Sequence, residues 1–166
     1  MKLEIENLSC GYADKNIIEG INLGLDPNEI LCLLGPNGIG KTTFLKTVLG
    51  FIKARSGRVL LDGRNILDLS VKEVSQVLGY VPQSHFPPFP FRVSDVVLMG
   101  RTAYLGSFSS PGKKDQSLTE EVLERLGIIY LRDRDYTRIS GGERRMVLIA
   151  RALVQQPSIL VMDEPT

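Results

Sequence analysis

Histidine occurs once, at His85, and cysteine twice, at Cys10 and Cys32, in a chain of 166 residues. A structural zinc site draws on about four nitrogen or sulfur ligands, so this set argues against a zinc fold. Two cysteines do not make a disulfide framework either. An excess of charge is also missing: twenty Lys plus Arg stand against nineteen Asp plus Glu, a net charge of +1. That excludes an acidic tail or a basic nucleic-acid arm. No apolar run approaches the roughly 18 residues that a membrane span requires. The start, Met1-Lys2-Leu3-Glu4-Ile5-Glu6, has no apolar leader core. Composition is close to a soluble globular average, at 43 % hydrophobic and 23 % charged. These absences point to a compact cytosolic domain that buries a core without staples.

Leu3, Ile5 and Asn7 alternate with Glu4 and Glu6, which predicts a half-exposed strand ending near Leu8, with a turn at Gly11. Ile21 to Leu25 and Ile30 to Leu34 are two further strand candidates, separated by the turn residues 26–29. The second is apolar throughout, as expected for a strand covered on both faces. Cys32 within it reads as a buried, inert thiol. Phe44, Leu45, Val48 and Leu49 mark the apolar face of a helix from Lys41 to Leu49. A short strand, Arg58 to Leu61, closes at Asp62-Gly63, and a helix from about Ser70 to Leu78 leads into a strand at 79–81.

Residues 82–92 then carry four of the nine prolines, Pro82, Pro87, Pro88 and Pro90. Such a stretch is neither helix nor central strand and reads as a subdomain boundary, with His85 an ordinary loop residue. From 93 to about 155 the chain is expected to be mainly helical, irregular from Gly106 to Gly112, with a last helix from Gly142 to Gln155. The strand Ile159 to Met162 follows. Strands and helices alternate at the two ends with helices grouped between, which implies an α/β core carrying an inserted helical subdomain.

Three segments carry chemistry. Gly35-Pro36-Asn37-Gly38-Ile39-Gly40-Lys41-Thr42 fits G-x-x-x-x-G-K-[ST] in full, with a strand candidate before and a helix after. Glycines let the backbone turn tightly and aim N–H groups at phosphate oxygens. The helix start adds further donors and a positive dipole end. Lys41 supplies an ammonium for the β- and γ-phosphates, and the Thr42 hydroxyl suits Mg²⁺. A dinucleotide fingerprint fits worse, because Thr43 stands where its third glycine belongs.

The strand Ile159-Leu160-Val161-Met162 stops in Asp163-Glu164. By itself an acidic strand end is an ordinary solvated turn. Beside a phosphate loop, Asp163 becomes a candidate Mg²⁺ ligand and Glu164 a candidate general base. Finally, Ser140 and Glu143 have capping-box spacing before a stripe of Met146, Ile149, Ala150, Leu153 and Val154. A capped amphipathic helix is all that this pattern requires. Gly141 and Gly142 nevertheless leave bare N–H groups at its start, a second anion-type helix start.

In this order the segments resemble the ATP-binding subunit of ABC (ATP-binding cassette) transporters over essentially the whole chain. Gly35 to Thr43 resembles that family's phosphate loop. Tyr80-Val81-Pro82-Gln83 resembles the segment whose glutamine links nucleotide to the membrane partner, and Ile139-Ser140-Gly141-Gly142-Glu143 the family signature. Ile159 to Glu164 matches the acidic strand, and Glu164-Pro165-Thr166 the segment after it. Tyr12 matches the aromatic that stacks on adenine. Ile39 replaces a usually small residue, and Glu143 stands where glutamine is commoner.

The resemblance implies an α/β P-loop NTPase (RecA-like) core, residues 1–83 and 156–166. It adds an N-terminal antiparallel β part and an inserted helical subdomain of about 84–155. It also implies further segments past Thr166, a dimer-facing loop, a strand and a histidine on the γ-phosphate, so the 166 residues are expected to be a truncated cassette whose fold lacks its C-terminal part. Ser94 to Arg101, followed by Ser109 to Asp115, resembles importers of iron-siderophore complexes, haem or cobalamin.

The implied cofactors are ATP and Mg²⁺. Nucleotide would contact Tyr12, Gly35, Pro36, Asn37, Gly38, Ile39, Gly40, Lys41, Thr42, Thr43 and Gln83. Metal would be held by Thr42, Gln83 and Asp163, with Glu164 as the base. Ser140, Gly141, Gly142 and Glu143 would meet ATP bound to a second, head-to-tail subunit. The other implied partners are transmembrane permease subunits and, through them, a solute-binding protein, with the chain cytoplasmic at the inner membrane face. Two alternatives remain: a soluble ABC-type ATPase acting on DNA or ribosomes, and a chain that binds nucleotide without turnover. The first usually carries a second cassette or a long insertion, and the weak net charge offers no basic stripe for nucleic acid.

Overall fold

The computed structural model describes residues 1–12, 15–83, 89–106 and 109–163. The chain forms two compact units, Met1–Val74 and Ser75–Thr166.

The first unit is built on a four-stranded antiparallel sheet of order β2-β1-β3-β4. Its strands are β1 (Leu3–Tyr12), β2 (Lys15–Leu25), β3 (Ser56–Leu61) and β4 (Arg64–Asn65). Leu3 and Ile5 are buried two apart, but the next buried apolar residue is Leu8, three further on. A bulge resolves the mismatch. Asn7 takes a left-handed φ of 46°, and the register shifts between Ile5 and Leu8 against β2 and between Glu6 and Ser9 against β3. One extra residue thus returns Leu8 to the buried side. Gly57 is required opposite it: its φ is 75°, and a Cβ there would fall 2.3 Å from the Asn7 carbonyl oxygen. Helix α1 (Lys41–Val48) lies against β1 and buries Phe44 and Val48. Helix α2 (Val71–Val77) begins with a second Ser-x-x-Glu box, in which the Glu73 carboxylate accepts from the Ser70 backbone N–H at 2.8 Å.

Two expectations are corrected here. Gly11 is not a turn residue but a strand residue of β1, paired with Asn16. A Cβ on it would meet the Lys15 carbonyl oxygen, which is why glycine stands there. More substantially, Ile30 to Leu34 is not a strand. Ile30 is 92 % and Leu34 94 % exposed, and Cys32 is exposed rather than buried. A strand covered on both faces needs ladder partners for its backbone. Among the described residues none pairs with this segment, so its apolar character alone does not make it β. Cys10 is the buried thiol instead, and burial pushes its pKa up.

In the second unit β5 (Leu78–Val81) and β6 (Ile159–Met162) pair in parallel, Leu78 opposite Ile159 through Val81 opposite Met162. Between them in sequence come α3 (Val93–Leu98), α4 (Lys113–Arg125) and α5 (Gly141–Leu153), with a 3₁₀ turn at Met99–Tyr104. Val81, Val96, Val97, Leu123, Val147, Leu148 and Val154 belong to one buried cluster. Helix α5 is more widely covered than its predicted stripe. Ala150 and Val154 are buried as expected, but so are Val147, Leu148 and Ala152, while Met146, Ile149 and Leu153 pack at the cluster's edge. The helix meets α3, α4 and β5, so more than one face is occupied.

A polar anchor holds the C-terminal end of α5. Arg101 is 6 % exposed; its guanidinium donates to Asp115 at 2.8 Å and to the Val154 carbonyl at 3.1 Å. It also stacks 3.9 Å over the Tyr104 ring, whose hydroxyl donates to the Gln155 carbonyl at 2.8 Å. Gln155 in turn donates to the Leu78 carbonyl at 3.2 Å, tying α5 to the start of β5. Asp115 also accepts from the Gly112 N–H at the start of α4.

The Arg101 hydrogen bond holds the Asp115 carboxyl below its ordinary pKa. Its folded pKa therefore lies below the unfolded one. The associated stabilisation is complete above the ordinary carboxylate range and is lost as pH falls through the folded value. Urea unfolding should show stability declining below about pH 4, and Asp115→Asn should decline less steeply over that window. An identical acid limb in the variant would mean that the pair contributes nothing to it.

Candidate functional site

The loop from Gly35 to Gly40 leads directly into α1. Gly38 and Gly40 have φ of 81° and 109°, in the left-handed region that side chains disfavour. Gly40 is also sterically closed, since a Cβ on it would sit 2.5 Å from Ile17 Cγ2. The loop is thereby seated on β2. Ile39 is half exposed and its Cγ2 lies over Gly35, where a Cβ would approach to 3.2 Å. The bulky residue at this position is thus met by a glycine four residues earlier. The Lys41 ammonium donates to the Gly35 carbonyl at 2.7 Å and to that of Pro36 at 3.1 Å. Gly40 is the N-cap and offers no side chain, and the first intrahelical bond runs from the Phe44 N–H to the Gly40 carbonyl. The first N–H groups of a helix have no intrahelical acceptor, and here they open onto the glycine loop. Thr42 and Thr43 stand in this first turn, and Pro36 and Asn37 at the loop's exposed crest. Tyr12 ends β1 and is 51 % exposed.

The second unit holds the remaining candidates. Asp163 follows β6 and is 2 % exposed, and its N–H donates to the Val81 carbonyl at 3.0 Å. The Tyr80 hydroxyl donates to its Oδ2 at 3.4 Å. Burial, and then the Asp163 charge, push the Tyr80 pKa up. Gln83 is exposed just past β5. Ser140 caps α5 as its spacing predicts. The Glu143 carboxylate accepts from the Ser140 backbone N–H at 2.8 Å and from its hydroxyl at 2.7 Å, while the Glu143 N–H donates back to Ser140 Oγ at 3.3 Å. Tyr130 adds a third donor to Glu143, at 3.2 Å. The hydrogen bonds from Ser140 hold the Glu143 carboxyl below its ordinary pKa. Gly141 and Gly142 are exposed, with open space where a Cβ would be. Glu164, Pro165, Thr166 and His85 lie outside the described residues.

The sequence did not reveal Tyr80 and Tyr130 as contacts of these groups. Tyr80 could be found only from the β5–β6 register, and Tyr130 only from the fold that returns it to the start of α5. Taken one by one, the Thr42 hydroxyl, the Gln83 amide oxygen and the buried Asp163 carboxylate are hard oxygen donors of the kind Mg²⁺ prefers.

A model of the ABC transporter family matches residues 18–166. The whole chain is 46 % identical to an uncharacterized ABC transporter ATP-binding protein of Haemophilus influenzae and spans 63 % of that protein. It is 40 % identical over its full length to a probable iron chelatin transport ATP-binding protein of Helicobacter pylori, spanning 66 % of it. The chain thus covers just under two thirds of these relatives. Among solved structures, a nucleotide-free ATP-binding cassette from an ABC transporter superposes with a TM-score of 0.88 at 25 % identity, over 100 % of this chain and 70 % of that one. The fold is therefore an ABC ATPase fold with its antiparallel N-terminal sheet. No helix among the described residues is long and apolar enough to cross a membrane.

The capping box gives a structural baseline for Ser140. Ser140→Ala should cost about 1 kcal/mol of unfolding free energy, and Ser140→Gly only a few tenths. Chemical denaturation followed by circular dichroism measures both; wild-type stability in Ser140→Ala would mean that the hydroxyl does not cap α5.

Proposed function

Since the chain belongs to the ABC transporter family, we propose that it is the ATP-binding and ATP-hydrolysing part of a transporter. One observation carries the reading: a loop with left-handed glycines at 38 and 40 runs straight into a helix start, with the Lys41 ammonium at its mouth. That is the arrangement that binds the β- and γ-phosphates of a nucleotide. Lys41 exchanges its two loop carbonyls for phosphate oxygens, and the α1 N–H groups neutralise the remaining charge. Tyr12 stacks on the base.

Thr42, Gln83 and Asp163 would hold Mg²⁺, which when bound would neutralise phosphate charge. Glu164 takes the proton of the attacking water. Ser140, Gly141 and Gly142 of one copy cover the nucleotide held by a second, head-to-tail copy, a role that the exposure of both glycines at a helix start supports. Transfer then relies on position and electrostatics. The division into a nucleotide-binding core, 1–83 with 156–166, and a helical part of about 84–155 is part of this reading.

The transporter is an importer of an iron-siderophore, haem, cobalamin or related metal compound. The similarity to the iron chelatin relative supports a metal compound over other solutes. Transmembrane permease subunits and a solute-binding protein complete the assembly, with this chain on the cytoplasmic face.

Lys41→Ala should weaken ATP binding at least tenfold by isothermal titration of the protein, and unchanged affinity would sink the assignment. Glu164→Gln should keep ATP binding and lower phosphate release by a factor of about 10² to 10⁴. Turnover at the wild-type rate would remove Glu164 as the base.

A further inference from the structure

We propose that Tyr80 is a positioning residue for Asp163: its phenol fixes the plane of the carboxylate that holds the divalent cation. The proposal rests on the metal role given to Asp163 above. In a parallel pair, facing residues share one side of the sheet, and sides alternate along each strand. Tyr80 faces Val161. Asp163 lies two residues beyond Val161 and therefore on the same side. The hydrogen bond from the Asp163 N–H to the Val81 carbonyl extends the ladder past Met162 and holds that backbone in register. The phenol then reaches Asp163 Oδ2 diagonally, at 3.4 Å.

The physical need is specific. The carboxylate torsion is broad and roughly two-fold, so backbone register alone does not set which way the oxygens face. Asp163 is buried, so solvent cannot supply the orienting donor freely. A hydroxyl on a rigid ring can, and phenylalanine would fill the same volume without doing so. Hydrogen-bond partners behind a metal ligand typically account for 10- to 100-fold in metal affinity.

The test uses the protein saturated with ADP, with Mn²⁺ as the probe and free Mn²⁺ followed by electron paramagnetic resonance. Tyr80→Phe should weaken Mn²⁺ binding about tenfold, with ADP affinity in EDTA unchanged. Asp163→Asn should weaken Mn²⁺ binding further. Wild-type Mn²⁺ affinity in Tyr80→Phe beside a weakened Asp163→Asn overturns the positioning role and leaves the metal reading standing. Wild-type affinity in Asp163→Asn overturns the metal reading and the proposal with it. An equal loss of metal-free ADP binding in Tyr80→Phe assigns the effect to packing and also overturns the proposal. Should Tyr80→Phe lower stability, the double-mutant cycle in Mn²⁺ affinity decides: coupling supports the role of Tyr80, and additivity rejects it.

Discussion

The first unit turns on a backbone constraint at Gly40. The chain must leave an irregular segment and enter α1 with its first N–H groups pointing into the loop, and a left-handed residue makes that turn. Two separate conditions then meet at one position. The φ of 109° disfavours any side chain, and the Ile17 side chain occupies the place a Cβ would take. The β1–β2 hairpin is therefore more than a neighbouring layer. Its apolar side chains press against the bare backbone of the loop, and its own shape depends on the Asn7 bulge and on Gly57 opposite. A fault in that bulge would move β2 and so the surface on which the loop rests.

In the second unit the organising element is α5. One end begins with two exposed glycines behind the Ser140–Glu143 box. The other is held by Arg101 on the Val154 carbonyl and by Gln155 on the start of β5. Arg101 is buried, but its charge is shared among a carboxylate, a carbonyl and an aromatic face, which is how a buried guanidinium becomes tolerable. One end of the helix is thus polar and exposed, and the other is tied to the strand that leads to Gln83.

What was legible in the sequence was what depends on local chemistry. The strand Ile159 to Met162 has the bounds its apolar run implied, the Ser140–Glu143 box formed at its predicted spacing, and α1 starts at Lys41. These follow from period, capping and turn residues within a few positions. What was not legible depends on partners far along the chain. The run Ile30 to Leu34 looks like a buried strand because apolar residues look the same whether or not a neighbouring strand pairs with them. The misreading of Cys32 followed from that. Tyr80 was read only as a member of a segment, since its contact with Asp163 exists through a pairing of residues some eighty positions apart.

Glu143 shows how closely the two roles of a helix start can compete. A carboxylate in the first turn is favoured by the helix dipole, and here it accepts three donors, two from Ser140 and one from Tyr130. Those bonds hold its pKa down, so it is an anion at neutral pH. A phosphate arriving at the same end would draw on the same dipole and would meet that charge within the first turn. A neutral amide at this position would cap almost as well without the repulsion. The carboxylate therefore gives a stronger cap and would weaken any attraction for phosphate at that end.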